Sequence, residues 1–256
     1  MSLRLTTFIA DALEVRVHAT PDDLAAEAAG EAATFLRQTL QSQAGAAVIL
    51  ASATSQIRFL AALVATPDVD WSRVTLFHMD EYLGITADQP ASFRCFLREH
   101  VAARIRPRAF HFIAGDAPEP LRECDRYTRL LQAQPIDLCC LGIGENGHLA
   151  FNDPPVADFT DPYTVKLVKL DLACRQQQVD EDCFPTLEAV PQFAYTLTVP
   201  TLCAARKMVC VVPDRRKAQA VRDAVRGPVG PACPASILRR QSHCALFLDA
   251  ASASGL

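Results

Sequence analysis

The sequence predicts an α/β protein with a doubly wound, mostly parallel sheet and helices on both faces. Three observations carry this. Short apolar runs recur along the 256 residues, they are almost continuously apolar rather than alternating, and helical stretches separate them. A strand covered on both faces loses the apolar/polar alternation of a half-exposed strand. Alternation of strand and helix then selects a parallel sheet.

Taken in order, Thr20-Pro21-Asp22-Asp23 opens a helix over 21–43, because hydroxyl, proline and acids suit a first turn. The run "AAVILAS" (46–52) reads as a strand, followed by a helix over 55–65. The run "VTLFHM" (74–79) is the next strand, with helices over 91–104 and 118–133 behind it. "IDLCCLGI" (136–143), "AYTLTV" (194–199), "KMVCVV" (207–212) and "CALFLD" (244–249) complete the strands, with a helix over 214–226. Residues 153–192 are richer in proline and charge and less periodic. They read as an irregular, lid-like excursion within one domain spanning 1–256, not as a second domain.

Bulk properties narrow the function. Half the residues are apolar and the formal charge is −4, so there is no global basic field and nucleic acid is not an expected partner. No apolar run reaches the roughly 20 residues of a membrane span, and the opening "MSLRLTTFIADALEVRV" does not read as a signal peptide. The ten cysteines form no C-x-x-C pair and no zinc-like spacing with histidine, and several lie inside apolar runs. They read as buried free thiols in a reducing, cytoplasmic protein. The sequence leaves a homo-oligomer open.

In a parallel sheet, ligands meet the loops after the carboxyl ends of the strands. The loop "GIGENGHLAFNDPP" spells G-x-G-x-x-G, yet a dinucleotide site needs a helix starting inside the motif, and Asn152, Asp153 and two prolines work against one. The glycines instead read as a sharp turn that presents His148 and Asp153 to a cleft. In "FHMDEYLGI" the adjacent carboxylates Asp80 and Glu81 follow directly on a buried strand. Two loops of one sheet with acid/base groups suggest a catalytic site. In "PDRRKAQA", Asp214 reads as an N-cap that places Arg215, Arg216 and Lys217 in a first helical turn, as an anion site would. The turn "ASATSQ" supplies hydroxyls at Ser52, Thr54 and Ser55, suited to phosphate or to simple capping.

"MDEYLGI", "ASFRCFL", "GIGENGHLAFNDP", "VVPDRRKA" and "PASIL", in that order from about residue 46 to 249, resemble the glucosamine-6-phosphate deaminase (isomerase) family. The sister family of 6-phosphogluconolactonases is similar in its loops but carries arginine after the Asp-Glu pair, so Tyr82 and "AFND" favour the deaminase side. The resemblance implies a modified Rossmann-like sheet without a nucleotide. It also implies no cofactor and no metal, and a small sugar phosphate as partner. Asp80 becomes the base moving a proton between C2 and C1, and His148 the group that opens the sugar ring. Asp153 stands for a family glutamate that supports the histidine. Lys217 and the turn Ser52-Ala53-Thr54-Ser55 become phosphate ligands. Glu81, Gly147 and Arg175 are carried over as candidate substrate contacts. Asn146 stands where many members have aspartate, and an asparagine there orients the imidazole and fixes its tautomer without adding charge.

Overall fold

The computed structural model describes residues 4–256. The strands are β1 (Arg4–Ala10), β2 (Leu13–His18), β3 (Ala46–Leu50), β4 (Val74–His78), β5 (Asp80–Tyr82), β6 (Ala109–His111), β7 (Leu138–Leu141), β8 (Val165–Lys169), β9 (Phe193–Leu197), β10 (Lys207–Val212) and β11 (Cys244–Asp249). The helices are α1 (Pro21–Ser42), α2 (Ile57–Ala65), α3 (Phe93–Leu97), α4 (Pro120–Gln132), α5 (Leu172–Asp180), α6 (Val199–Cys203) and α7 (Ala218–Arg226).

The large sheet runs β1-β2-β11-β10-β7-β3-β4-β6, and every pairing is parallel except that of β1 with β2. Both faces are covered. Val48 and Leu50 of β3 join a core with Leu36 of α1, Leu60 of α2 and Leu97 of α3. Ala47 and Ile49 join a second core with Tyr127 of α4, Leu202 of α6 and Val221 of α7. This is why the strands read as unbroken apolar runs. The chain builds outward from β3 to β4 and β6, then returns to the opposite side of β3 with β7 and β10. The strand order therefore reverses at β3 and β7, where an open sheet leaves a crevice at its carboxyl edge.

Three expectations are corrected. The run 194–199 does not join the parallel sheet: β9 pairs antiparallel with β5 and β8 in a separate three-stranded sheet. The excursion 153–192 is not irregular throughout, since it contains β8 and α5. The helix expected over 91–104 is α-helical only to Leu97 and widens into a π-turn over Arg98–Ala102. The small sheet rests on an aromatic cluster in which the Tyr82 ring lies 5.1 Å from Phe93, 5.2 Å from Phe151 and 5.2 Å from Phe184. No described helix is long and apolar enough to cross a membrane.

Candidate active site

A cavity opens at the carboxyl ends of β3, β4 and β7, lined among others by Ser52–Gln56, Asp80, His148, Gln177, Gln178, Glu181 and Lys217. The sequence-predicted groups Asp80, His148, Lys217 and Ser52-Ala53-Thr54-Ser55 thus meet in one place.

Asp80 sits where the chain leaves the large sheet and enters the small one. It pairs with Thr196 of β9, and its neighbour Met79 accepts a bond from the Leu197 N–H at 2.8 Å. Its Oδ1 is buried with no hydrogen-bond partner among the described residues. Burial, and then the charge of Glu81, push the Asp80 carboxyl well above the usual carboxylate range. Glu81 points the other way. It accepts from Ser92 Oγ at 2.7 Å and from the N–H groups of Tyr82, Arg94 and Phe93 at 3.0, 3.0 and 3.1 Å. It does not reach the cavity, so its expected substrate contact is corrected to an anchor for the start of α3.

The glycines of the 142–153 turn have a steric explanation. A Cβ on Gly144 would run into the His148 ring, so glycine there leaves room for the imidazole. A Cβ on Gly142 would meet Gln56 Nε2 at 2.8 Å, and that amide ties the Ser52–Gln56 turn to Val211 O at 3.0 Å. Gly147 takes the left-handed conformation, with φ of +83°, and turns the chain rather than lining the cavity. No helix starts in the segment, in keeping with the reading against a dinucleotide.

His148 Nδ1 lies 3.1 Å from Asp153 Oδ1, an ion-pair distance whose angle falls short of a hydrogen bond. Asp153 does not line the cavity, which corrects its expected presentation to the cleft; it backs the imidazole and also accepts from Asn146 Nδ2 and from the Asp171 N–H, both at 3.0 Å. Burial pushes this carboxyl up, but His148, Asn146 and the Asp171 amide outweigh it and hold Asp153 below the usual range. Asn146 does not touch the imidazole. Its Oδ1 accepts from the His148 backbone N–H at 3.1 Å, so it bridges that amide to the Asp153 carboxylate, and the expected contact with the ring is corrected. Ligand atoms of His148, Asp153 and Cys174 lie within 4.8 Å of one another, a nitrogen, oxygen and sulfur set of the kind that holds zinc.

Lys217 reaches the cavity from the turn after β10. The Asp214 carboxylate caps the Arg216 N–H at 3.0 Å, which leaves Arg215 and Arg216 exposed and turns Lys217 inward. Burial lowers the Lys217 pKa despite two carboxylates, Glu181 Oε1 at 3.6 Å and Glu145 Oε1 at 3.9 Å. Arg175 is the clearest correction. Its guanidinium donates to the carbonyls of Leu187 and Val190 and fastens the excursion instead of lining the cavity. In its place α5 offers Gln177 and Gln178, with Glu181 just beyond its end, and sequence reasoning passed over all three. The signal was present: Cys174, Gln177, Gln178 and Glu181 fall at i, i+3, i+4 and i+7, one helical face on which the two glutamines are buried.

Residues 19–158 match the family described as glucosamine-6-phosphate isomerases/6-phosphogluconolactonase. A glucosamine-6-phosphate deaminase from Exiguobacterium sibiricum is 36% identical over 186 residues, 73% of this chain and 72% of that one. The chain belongs to this family. A second member, the deaminase of Lactobacillus delbrueckii subsp. bulgaricus, is 30% identical over 80% of this chain and 85% of its own. Among solved structures, a monomeric glucosamine-6-phosphate deaminase superposes with a TM-score of 0.86 at 26% identity, covering 94% of this chain and 99% of that one. The 6-phosphogluconolactonase of Thermotoga maritima shares the fold, with a TM-score of 0.74 at 17% identity over 92% of this chain and 98% of that one.

Proposed function

We propose that this member of the family converts glucosamine 6-phosphate and water to fructose 6-phosphate and ammonia. The observation that carries the reading is the unpartnered, buried Asp80 carboxyl in the same cavity as Lys217 and His148, with Asp153 beside the imidazole.

In this reading His148 passes the proton of the anomeric hydroxyl to the ring oxygen, and the sugar opens to the aldehyde. Asp153 stabilises the imidazolium formed on the way. Asp80 then takes the proton from C2. The C2–H electrons become a C1=C2 bond while the aldehyde oxygen takes a proton from solvent, which is given back when water later adds to C2. Asp80 returns its proton to C1, which leaves an iminium at C2. Water adds to C2, and the carbinolamine expels ammonia to give the ketone. One carboxyl serves both carbons, and a carboxyl lifted toward the working pH both takes and returns a proton readily. Lys217 and the Ser52–Ser55 turn hold the phosphate, so binding energy far from C1 positions the reacting carbons. No metal or cofactor takes part in this sequence of steps. Residues 153–192 serve as the cover of the cavity within a single domain.

A cytoplasmic setting is part of the proposal, supported by ten free cysteines, six of them buried. One copy or several is decided by light scattering on the purified chain. The activity is tested by ammonia release from glucosamine 6-phosphate, set against glucose 6-phosphate isomerisation and lactone hydrolysis. Ammonia release that survives EDTA supports the proposal. Lactone hydrolysis without ammonia release would replace it.

A further inference from the structure

We propose that Glu181 is a specificity-determining residue that occupies the seat of the substrate's phosphate and must be displaced by it. The inference rests on the phosphate subsite of the reading above.

The subsite is already filled by an anion. Glu181 Oε2 accepts from Thr54 Oγ1 at 3.0 Å, its Oε1 accepts from Gln177 Nε2 at 2.8 Å, and the same Oε1 stands 3.6 Å from Lys217 Nζ. A hydroxyl of the turn after β3, an amide of α5 and the buried lysine are the kinds of donor a phosphate would use. Both side chains of the pair are only 4% exposed. With Glu145 Oε1 also 3.9 Å away, Lys217 faces two carboxylates before any ligand arrives. A phosphate dianion added to that arrangement would place three anions around one cation, so phosphate and Glu181 compete for Lys217.

The fold offers the displaced carboxylate somewhere to go. Glu181, Thr54, Ser55 and Lys217 line the inner cavity and also an outer cleft that contains Arg58, Arg215 and Arg216. Glu181 thus forms part of the wall between the two spaces. Rotation of its side chain into the outer cleft keeps it near arginines while Lys217 turns to the phosphate. Such a residue selects ligands by charge. A sugar with no phosphate cannot displace it, and a weak anion displaces it poorly.

The test measures inorganic phosphate binding to the full chain by calorimetry, with deaminase kinetics on the same preparations. Glu181→Gln removes the charge and keeps the shape, and should tighten phosphate by about tenfold and lower KM for glucosamine 6-phosphate. Glu181→Asp keeps the charge but falls one methylene short of Lys217, and should also tighten phosphate. In a Lys217→Ala background the gain from Glu181→Gln should vanish, because the two side chains act as one unit. Unchanged or weaker phosphate binding in both Glu181 variants overturns the proposal, as does a gain that persists without Lys217. Wild type that binds phosphate but releases no ammonia defeats the deaminase reading alone. Normal deamination with no change on Glu181→Gln defeats the Glu181 assignment alone.

Discussion

On either side of β3, two loops each bring a buried aspartate to the site, Asp80 on the cavity wall and Asp153 beside His148, and the two are treated in opposite ways. The loop after β4 presents Asp80 with an unpartnered oxygen and a neighbouring negative charge. The loop after β7 surrounds Asp153 with His148, Asn146 and the Asp171 amide. Burial alone would raise both pKa values; partners decide which one stays raised. The starved carboxyl is suited to trade protons. The satisfied one is suited to remain an anion beside an imidazole.

The largest expected effect breaks the starved side. Asp80→Asn should lower kcat by about a thousandfold or more while phosphate or substrate-analogue binding survives, measured by ammonia release and calorimetry. Near-normal turnover would remove Asp80 from the mechanism.

On the satisfied side, Asp153→Asn should lower kcat by about a hundredfold, because the imidazolium loses its anion. Asn146→Ala should cost far less, since Asn146 holds a backbone amide and a carboxylate rather than the ring. An Asn146→Asp variant should stay active with a shifted pH–rate profile. Equal losses for Asp153→Asn and Asn146→Ala would make Asn146 more than a brace.

Away from the reacting end, Lys217→Ala should raise KM by about tenfold or more, and more for phosphorylated than for unphosphorylated sugar. If Arg215→Ala does this and Lys217→Ala does not, the phosphate lies in the outer cleft.

The smallest effect is thermodynamic, and its sign differs between the two aspartates. Asp80 has a folded pKa above its unfolded value near 3.9, so its contribution is fully present below that pH and is lost as pH rises through the folded pKa. Asp153 has a folded pKa below it, so its contribution is present above about 3.9 and is lost as pH falls through the folded pKa. At neutral pH, Asp80→Asn should therefore raise Tm and Asp153→Asn should lower it. The gain in the first should shrink toward pH 4. Shifts of the same sign would end the contrast between the loops.

The difference between the loops also marks how far the sequence could be read. The parallel strands were legible because double burial writes itself as unbroken apolar runs, as in β3 and β10. The meeting of His148 and Asp80 in one cavity was legible because the loops after parallel strands converge at the carboxyl edge of the sheet. β9 was misplaced because an apolar run does not name its partner strand. Arg175 was misassigned because a positive charge in the right region says nothing of the carbonyls at Leu187 and Val190 that claim it. Glu181 lies 127 residues from its hydrogen-bond donor Thr54, and only folding brings them together. The partnering of Asp153 and the isolation of Asp80 belong to the same class of fact: each depends on tertiary neighbours.

The most direct test uses glucosamine 6-phosphate deuterated at C2. A single carboxyl that carries a proton from C2 to C1 predicts slowed ammonia release, with part of the deuterium recovered at C1 of fructose 6-phosphate and none of this in Asp80→Asn. Ammonia release at an unchanged rate with none of the deuterium reaching C1, or the same transfer to C1 in Asp80→Asn, would contradict it.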